Sequence, residues 1–214
     1  DLYASLRKAM DPDLEENILA IPRKQRAMVR KGIKFELKAE VDQDPSRLYP
    51  VYAESVRNLG TPVFARRYFD ALKQEFGDAC EILMITHQGP DVAGVMSFHF
   101  RDEVLPYYGG GTAAARLLAG NDFMYWEVMR RACERGSKLF HFGRSKRGTG
   151  AFDFKKNWGF APKPLHYQYR LNKASELPDL NPLNPKFKLF IEIWKRLALG
   201  IANAVGPHIV RNLG

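Results

Sequence analysis

The sequence contains little cysteine, no histidine cluster and no long apolar run, and each deficit excludes a class of protein. Two cysteines, Cys80 and Cys133, cannot build a disulfide framework, and no histidines stand near them at the spacing of a zinc site. No stretch reaches the about 20 apolar residues of a spanning helix. The N-terminal segment is too charged to be a secretory signal. We therefore expect a cytoplasmic protein in a reducing compartment, and leave peripheral membrane contact open.

Positive charge is in surplus. The chain has 33 Lys and Arg against 24 Asp and Glu, which gives a formal net charge of +9 over 214 residues. Such a surplus favours anionic partners, namely phosphates, nucleic acid or an anionic membrane leaflet, without choosing among them. The hydrophobic fraction of 45% and the charged fraction of 27% are typical of a folded globular protein, and the length suits one large domain or one domain with appendages.

Hydrophobic periodicity and turn residues predict the order of helices and strands. Helices are expected over 14–31 (interrupted at Pro22), 45–59, 65–76, 121–135 and 152–158. Strands are expected over 33–41, 80–87, 92–101, 104–108, 138–142 and 163–171, with glycine-rich loops at 109–112 and 143–150. This order predicts an α/β (α+β) fold, in which a mixed, largely antiparallel sheet is flanked by helices and one strand–helix–strand unit is parallel.

Three regions are expected along the chain. A basic helical segment at 1–32 leads into a domain at 33–172, and a proline-rich linker with an amphipathic helical tail fills 173–214. The tail is expected to break at Gly206-Pro207. Its apolar residues, with Trp194 and a basic face, suit either docking on the domain or lying on an anionic membrane.

Three segments resemble FemAB-like proteins of the GNAT acyltransferase superfamily: YYGGG at 107–111, NDFMYWEVMRRACERG at 121–136 and FHFGRSKRGTGAFDFKKNWGF at 140–160. They are most similar to the subgroup found with exosortase (PEP-CTERM) and exopolysaccharide systems. PRKQRAMVRKG at 22–32 resembles the basic helix that joins the two GNAT-like halves of that family. The resemblance implies a GNAT-like sheet and the C-terminal one of the two halves.

The same resemblance implies an activity. FemAB-like proteins transfer N-acyl or aminoacyl groups to an amine of a peptidoglycan, envelope or polysaccharide precursor, so acyl-CoA or aminoacyl-tRNA is implied as an anionic co-substrate. The run GGGTAAARLLAGN at 109–121 lacks the glycine spacing of members that bind coenzyme A. No bound cofactor and no metal site are predicted. A basic module that binds tRNA or another nucleic acid, and a non-catalytic scaffold of GNAT fold, are the alternatives.

Three residues are the candidates for catalysis. Lys155 matches the Phe-Lys position of the FemAB motif, and the resemblance implies that it stabilises a carbonyl or phosphate in the transition state. Tyr108 could donate to an oxyanion or protonate a leaving group, and His141 leads directly into the glycine loop as a possible base. The competing interpretations are a surface lysine, an aromatic core residue and a structural histidine.

The candidates for substrate binding surround the glycine loop. Cations and free backbone N–H groups beside a helix N-terminus suit an anionic group, and a solvated basic loop is the competing interpretation. Either Tyr107 or its neighbour Tyr108 must face the core, because successive strand residues alternate. The substrate-binding candidates are Tyr107, Gly143, Arg144, Ser145, Lys146 and Thr149.

Overall fold

Seven segments pair into one sheet in the computed structural model, which describes residues 2–172, 175 and 185–211. The strands of this described part are β1 (Tyr3–Ala9), β2 (Lys38–Asp42), β3 (Cys80–Thr86), β4 (Asp91–Phe100), β5 (Glu103–Gly111), β6 (Leu139–Lys146) and β7 (Pro162–Pro164). The α-helices are α1 (Leu14–Leu19), α2 (Arg23–Lys34), α3 (Leu48–Leu59), α4 (Arg66–Phe76), α5 (Ala113–Leu118), α6 (Gly120–Glu134), α7 (Gly150–Asn157), α8 (Pro185–Arg196) and α9 (Leu199–Val210). The predicted fold class is confirmed.

The strands follow the order β2-β3-β4-β5-β6-β1-β7. Every neighbouring pair is antiparallel except β5 and β6, which run parallel. These two strands and α6 form the predicted strand–helix–strand unit. The single parallel pair therefore lies near the middle of an otherwise antiparallel sheet.

Alternating side chains divide the core between the two faces of the sheet. Leu83 and Ile85 of β3 join one buried cluster with Met124 of α6. Ile82 and Met84 of the same strand join a second buried cluster with residues of α3 and α4. Because side chains two positions apart point to the same face, β3 separates the two helical layers.

Strand β1 is absent from the sequence-based prediction, which has residues 1–32 as a helical segment. Helices α1 and α2 lie there as expected, but Tyr3–Ala9 pairs antiparallel with β6 on one side and with β7 on the other. This partner extends β6 to Lys146, beyond the predicted end at Phe142. The first four residues of the predicted loop at 143–150 are therefore part of a strand.

The strand predicted over 33–41 begins too early. Helix α2 continues past its start, Glu36 adopts a φ of 55°, and β2 begins at Lys38. Ile33 and Phe35 are both exposed, so their alternation does not reflect a buried strand face. β2 is an edge strand, and its side chains also remain largely in contact with solvent.

The glycines after Tyr108 end strand β5 instead of forming the predicted loop. A Cβ added to Gly110 would lie 2.5 Å from the Cβ of Ser55 in α3, and one added to Gly111 would lie 2.6 Å from the Cβ of Ala115 in α5. These glycines therefore allow two helices to pack directly on the strand. Helix α5 follows at once and is not predicted from the sequence.

Two predictions at the C-terminal end differ from the structure. The strand expected over 163–171 is only Pro162–Pro164, because β7 pairs with just three residues of β1. Pro207 lies inside α9 and does not interrupt it. The linker prolines Pro178 and Pro182 lie outside the described residues.

The helical tail docks on the domain through α8. Arg57 of α3 donates from Nη1 to the Lys195 carbonyl at 3.0 Å, and Trp194 is buried. The docking alternative for the tail is thus the one that the structure shows. Within the ranges that the structure describes, none of the helices combines the length and the hydropathy that crossing a bilayer requires.

Candidate active site

The two parallel strands separate in the middle of the sheet. Their registered pairs are Glu103 with Leu139 and Val104 with Phe140. Beyond these pairs β5 remains paired with β4, and β6 remains paired with β1. Backbone groups on the facing edges therefore need partners other than a strand. We call this gap, between residues 105–111 and residues 141–146, the β5–β6 opening.

Helix α7 places an ammonium group at the edge of the β5–β6 opening. Lys155 Nζ donates to the Phe142 carbonyl at 2.6 Å and to the Arg144 carbonyl at 3.4 Å. Among the described residues, none of the ion pairs includes this lysine. An ammonium has three N–H donors, so one remains available for an anion.

Burial sets the electrostatic state of this ammonium. It lowers the pKa of Lys155 to about 8 from the ordinary 10.5. The side chain is half-buried, whereas the neighbouring Lys156 is exposed. A partly desolvated cation binds a nearby oxyanion more strongly than a surface lysine does, because less water competes for it.

Three side chains from three neighbouring strands form a hydrogen-bonded chain beside the opening. His141 Nδ1 lies 2.6 Å from Glu103 Oε1, and His141 Nε2 lies 2.9 Å from Ser5 Oγ. A carboxylate can only accept, so we assign the ring proton to Nδ1, and Nε2 then accepts from the Ser5 hydroxyl. Both ring nitrogens are occupied, and Ser5 ends the chain.

Burial favours the neutral form of the His141 ring. Burial lowers the pKa of His141, and the cations Arg7 and Lys155 act in the same direction, whereas Glu103 opposes them. Arg7 also forms an ion pair with the second carboxylate oxygen of Glu103. A neutral imidazole whose Nδ1–H is held by a carboxylate is the form that accepts a proton at Nε2.

An aromatic and cationic surface continues from the end of β6. Arg144 Nη1 donates to Tyr167 Oη at 2.9 Å, and the guanidinium carbon lies 4.7 Å from the Tyr3 ring centroid. Lys146 Nζ lies 5.3 Å from the same centroid, and the Tyr167 and Tyr169 rings stack with centroids 6.2 Å apart. We call these five residues the tyrosine–arginine surface. Stacked aromatic rings and cations together suit a ligand with both bases and phosphates.

Gly143 lies at a bulge in β6. Ser5 is paired with Arg144, and Arg7 with His141, so two residues of β6 oppose one residue of β1. Gly143 has a φ of 73°, a conformation that favours glycine over residues with a side chain. Direct substrate contact by Gly143 stays a prediction.

Two other predicted binding residues have clear structural contacts. Thr149 Oγ1 donates to the Lys146 carbonyl at 2.8 Å and accepts from the Phe152 N–H at 3.3 Å, which caps α7. Ser145 is buried, with its Cα opposite Ala4 of β1. Thr149 thus fixes the helix that carries the ammonium. Contact of Thr149 or Ser145 with substrate stays a prediction.

The two tyrosines of β5 point to different environments, as predicted. Tyr108 is buried and its hydroxyl lies 2.8 Å from that of Tyr68, while Tyr107 is 56% exposed. The Tyr108 ring packs against Tyr52 and Phe69. Burial raises the pKa of Tyr108, and Tyr68 acts in the same direction, so its hydroxyl holds its proton. The proposed proton transfer from Tyr108 stays a prediction.

A carboxylate occupies the turn that follows β5. The Ala113 N–H, at the start of α5, donates to Glu54 Oε1 at 2.9 Å. A cavity of about 470 Å³ beside this turn is lined partly by Ser55, Arg116 and Asn121. The turn has the glycine spacing that departs from the pattern of coenzyme A binding. Glu54 thus places a carboxylate oxygen at the first amide of α5, where it would repel a phosphate.

Sequence reasoning misses several residues that the structure brings to this region, above all Ser5, Glu103 and Tyr3. One signal was available, because Ala4 and Leu6 alternate with polar neighbours over β1, as in a half-buried strand. Glu103 carries no comparable local signal. Across the described ranges, no three His, Cys, Asp or Glu side chains gather as a metal site.

Similarity to known structures extends over most of the chain. FemX aligns with a TM-score of 0.68 at 13% identity, over 74% of this chain and 59% of FemX. The C-terminal domain of a putative lysylphosphatidylglycerol synthetase from Agrobacterium fabrum aligns with a TM-score of 0.58 at 15% identity, over 76% of this chain and 58% of that one. L-PGS from Bacillus licheniformis aligns with a TM-score of 0.53 at 14% identity, over 75% of this chain and 57% of L-PGS. At these identities the likeness concerns the fold alone.

A comparison of the sequence with protein families identifies the family of this chain. A comparison with curated proteins finds no significant match. The family described as "Acetyltransferase (GNAT) domain" matches residues 20–156, which include both strands of the β5–β6 opening and Lys155. The mixed sheet, its central parallel pair and the separation of that pair agree with this match. The chain therefore belongs to the GNAT acetyltransferase family.

Proposed function

We propose that this chain transfers an acyl or aminoacyl group to an amine, in the manner of FemAB-like proteins, on a cell-envelope or exopolysaccharide precursor. The observation that carries the proposal is the Lys155 ammonium at the β5–β6 opening. It is bound by two backbone carbonyls and by no carboxylate of the described residues. A cation in that state is suited to negative charge that appears during the reaction.

Amide formation requires charge stabilisation and the removal of one proton. As the amine adds to the acyl carbonyl, the carbonyl oxygen becomes an oxyanion, which the free N–H of Lys155 stabilises. The amine proton then passes to His141 Nε2 once its contact with Ser5 Oγ opens, while Glu103 orients the neutral ring through Nδ1. Strand β6 and helix α7 hold these groups in place before substrate binds, which lowers the entropic cost of the reaction.

Two features of the structure favour aminoacyl-tRNA over acyl-CoA as the acyl donor. Glu54 occupies the amide of Ala113 at the turn after β5, where a pyrophosphate would meet a carboxylate. The tyrosine–arginine surface, in contrast, offers exposed rings and two cations next to the opening. Stacking of unpaired bases on tyrosines, together with phosphate contacts to Arg144, would hold the end of an RNA chain. The nucleic-acid-binding alternative thus becomes part of the same reaction.

The helical tail has a surface suited to membrane contact, which would bring the chain to an acceptor at the membrane. Leu189 and Ile193 of α8 are exposed and lie near Lys188, Lys195 and Arg196. Exposed apolar and basic side chains on one helix suit an anionic membrane surface, on which a lipid-linked amine would be presented. Peripheral attachment is therefore part of the proposal.

The division into a leading segment at 1–32, a domain at 33–172 and a tail at 173–214 is likewise proposed. The chain spans less than two thirds of FemX and of both synthetase structures. In the FemAB-like arrangement, a second GNAT-like half would contribute to the substrate cleft. Strand β1 belongs to the central sheet, so a separately expressed domain must retain Tyr3–Ala9.

A donor competition tests the proposal. The full chain is incubated with a small amine probe, glycinamide, and with either radiolabelled aminoacyl-tRNA or radiolabelled acetyl-CoA, and the amide product is quantified. Amide from aminoacyl-tRNA, reduced strongly in Lys155→Met and retained in Lys156→Met, supports the proposed reaction and donor. Amide from acetyl-CoA alone supports acyl transfer and rejects the donor assignment. No amide from either donor rejects the function.

A further inference from the structure

Tyr125 of helix α6 contacts both edges of the β5–β6 opening. Its ring packs edge-on against the Phe142 ring of β6, with the centroids 4.9 Å apart. At the other edge, a Cβ added to Gly109 of β5 would lie 3.1 Å from the Tyr125 hydroxyl oxygen. The hydroxyl therefore lies against the β5 backbone, where the missing side chain of Gly109 leaves room for it. Because Gly109 and Phe142 belong to the strand segments that separate, the Tyr125 side chain spans the opening.

The fold makes no use of the Tyr125 hydroxyl. Among the residues that the structure describes, Tyr125 Oη forms no hydrogen bond, and it is not one of the fully enclosed polar atoms that lack a partner. The side chain as a whole is half-buried. A hydroxyl that loses water on folding without gaining a partner costs free energy, so phenylalanine would suit a purely structural role at this position better.

The surroundings of Tyr125 keep its hydroxyl protonated. Burial raises the pKa of Tyr125 to about 12, and the Asp122 carboxylate acts in the same direction. Burial also raises the pKa of Tyr52 on α3, and the Tyr125 hydroxyl acts in the same direction there. Helices α3 and α6 cover opposite faces of the sheet, so these two hydroxyls interact across it. At neutral pH the Tyr125 hydroxyl is therefore a hydrogen-bond donor.

Two donors thus flank the opening from opposite edges. The Lys155 ammonium is held at the β6 edge by the Phe142 carbonyl at 2.6 Å, and the Tyr125 hydroxyl lies at the β5 edge. An ammonium cannot accept a hydrogen bond, so the group that both can bind is an acceptor oxygen of a substrate. A carbonyl oxygen that gains negative charge during the reaction benefits most from such a pair of fixed donors.

We propose that Tyr125 is a catalytic residue that donates a hydrogen bond to the reacting carbonyl oxygen, opposite Lys155, an inference that rests on the acyl-transfer function proposed above. The amine adds to the carbonyl carbon, and the π electron pair moves to the oxygen, which accepts from both donors. Neither donor gives up its proton. When the intermediate collapses, the C=O bond forms again and the bond to the donor oxygen or sulfur breaks. That atom leaves with the electron pair and takes up the proton that the amine passed to His141.

Removing the hydroxyl alone tests this role. Tyr125→Phe keeps the ring that packs against Phe142, and the glycinamide assay described above then measures the steady-state rate. We expect kcat to fall by about 10–100-fold, less than for a charged donor. The KM should stay nearly unchanged, because the carbonyl of the bound donor accepts more weakly than the oxyanion does. If both donors react, the loss should be the same with each, since the hydroxyl contacts the carbonyl and not the leaving group.

Tyr49→Phe is the matched control. Tyr49 lies on α3, is half-buried against Phe69 with ring centroids 5.9 Å apart, and its hydroxyl has no hydrogen-bond partner in the part of the chain that the structure describes. Its loss should leave kcat unchanged. An unchanged kcat in Tyr125→Phe, or equal losses in the two variants, overturns the inference. A loss seen with aminoacyl-tRNA but not with acetyl-CoA also overturns it, because the hydroxyl would then contact the ribose.

A tetrahedral analogue supplies a second measurement that does not require turnover. The probe is the 3′-ester of adenosine with aminomethylphosphonate, whose anionic phosphonate oxygens replace the oxyanion, and its binding is measured by calorimetry. Tyr125→Phe should weaken binding by about 10-fold or more, whereas Tyr49→Phe should not change it.

The two measurements distinguish failure of the inference from failure of the proposed function. If the wild-type chain forms amide but Tyr125→Phe alters neither the rate nor the binding of the analogue, transfer stands and the role of Tyr125 is wrong. If no amide forms although the analogue binds in a Tyr125-dependent way, the hydroxyl is an oxyanion donor and the transferase proposal is wrong. The absence of both amide and analogue binding rejects both.

Discussion

Replacing Lys155 by methionine separates the chemistry of the ammonium from its contribution to the fold. Methionine retains an unbranched stem of similar length and removes the cation that donates to the Phe142 carbonyl at 2.6 Å. If that cation stabilises the oxyanion, its loss should lower kcat by about 10²–10³, as the loss of a single oxyanion donor does in other enzymes.

Stability should change much less, because two contributions oppose each other. The lowering of the Lys155 pKa from 10.5 to about 8 corresponds to about 3 kcal/mol against the charged amine in the folded chain. Two hydrogen bonds from a charged donor, each of about 1.5–3 kcal/mol, act in the other direction. We therefore expect the free energy of unfolding of Lys155→Met to lie within about 2 kcal/mol of the wild-type value.

The lowered pKa also determines the sign of the pH dependence. An unfolded chain keeps the ordinary lysine pKa of 10.5 and binds more protons than the folded chain between about pH 8 and 10.5. Stability due to this group therefore rises with pH across that window. The catalytic effect has the opposite sign, since the wild-type rate should fall above about pH 8 as the ammonium is lost. Lys155→Met should lack this decline.

Steady-state transfer assays between pH 6 and 10, combined with denaturant unfolding, measure both effects. Lys156→Met is the matched control, because Lys156 is the next residue on α7 and is exposed. Parallel loss of rate and stability in Lys155→Met, or an equal loss of rate in Lys156→Met, would refute the reasoning.

Three further predictions concern the surfaces around the site. Glu54→Gln should strengthen acetyl-CoA binding measured by calorimetry, because it removes the negative charge at the Ala113 amide; unchanged binding would contradict the electrostatic argument. Tyr167→Ala should weaken binding of a short single-stranded RNA by about 1–3 kcal/mol, measured by fluorescence anisotropy. Arg144→Ala should weaken this binding too and should also reduce its dependence on salt concentration. If neither substitution changes RNA binding, the tyrosine–arginine surface is not an RNA-binding site. Lys195→Glu should reduce co-sedimentation with vesicles that contain phosphatidylglycerol but not with neutral ones; equal recovery on both would exclude electrostatic attachment.

Much of the sheet could be predicted from the sequence, because β3 and β4 lie in the interior of the sheet and their apolar residues form unbroken or alternating runs. The edge strands of the sheet and the close contacts between helices and strands could not be predicted. Ile33 and Phe35 alternate as a strand does, yet they belong to the end of a helix and its turn. Gly110 suggests a loop from composition, whereas its missing side chain makes room for Ser55. Such outcomes depend on tertiary neighbours that local patterns do not contain.

The residues of the candidate site also differ in whether the sequence alone could predict them. Lys155 could be selected as a candidate because it belongs to one contiguous motif that resembles a known family, and its catalytic role stays a prediction. The partners of His141 could not, because Ser5 is 136 residues away and Glu103 is 38 residues away in sequence. Only the strand order β5-β6-β1 brings the three together. Roles for Tyr107, Tyr108, Ser145 and Thr149 stay predictions.

The position of β1 in the sheet has a consequence for how the chain acquires its structure during synthesis. Tyr3–Ala9 leaves the ribosome well before its partner strand β6, which ends at Lys146. Until that later segment has emerged, the first strand has no neighbour and its apolar residues Ala4 and Leu6 stay exposed. Closing so long a loop is entropically costly, and contacts of this separation slow folding. The sheet that contains the β5–β6 opening can therefore be completed only late in translation, and until then the exposed apolar residues make the nascent chain prone to aggregation.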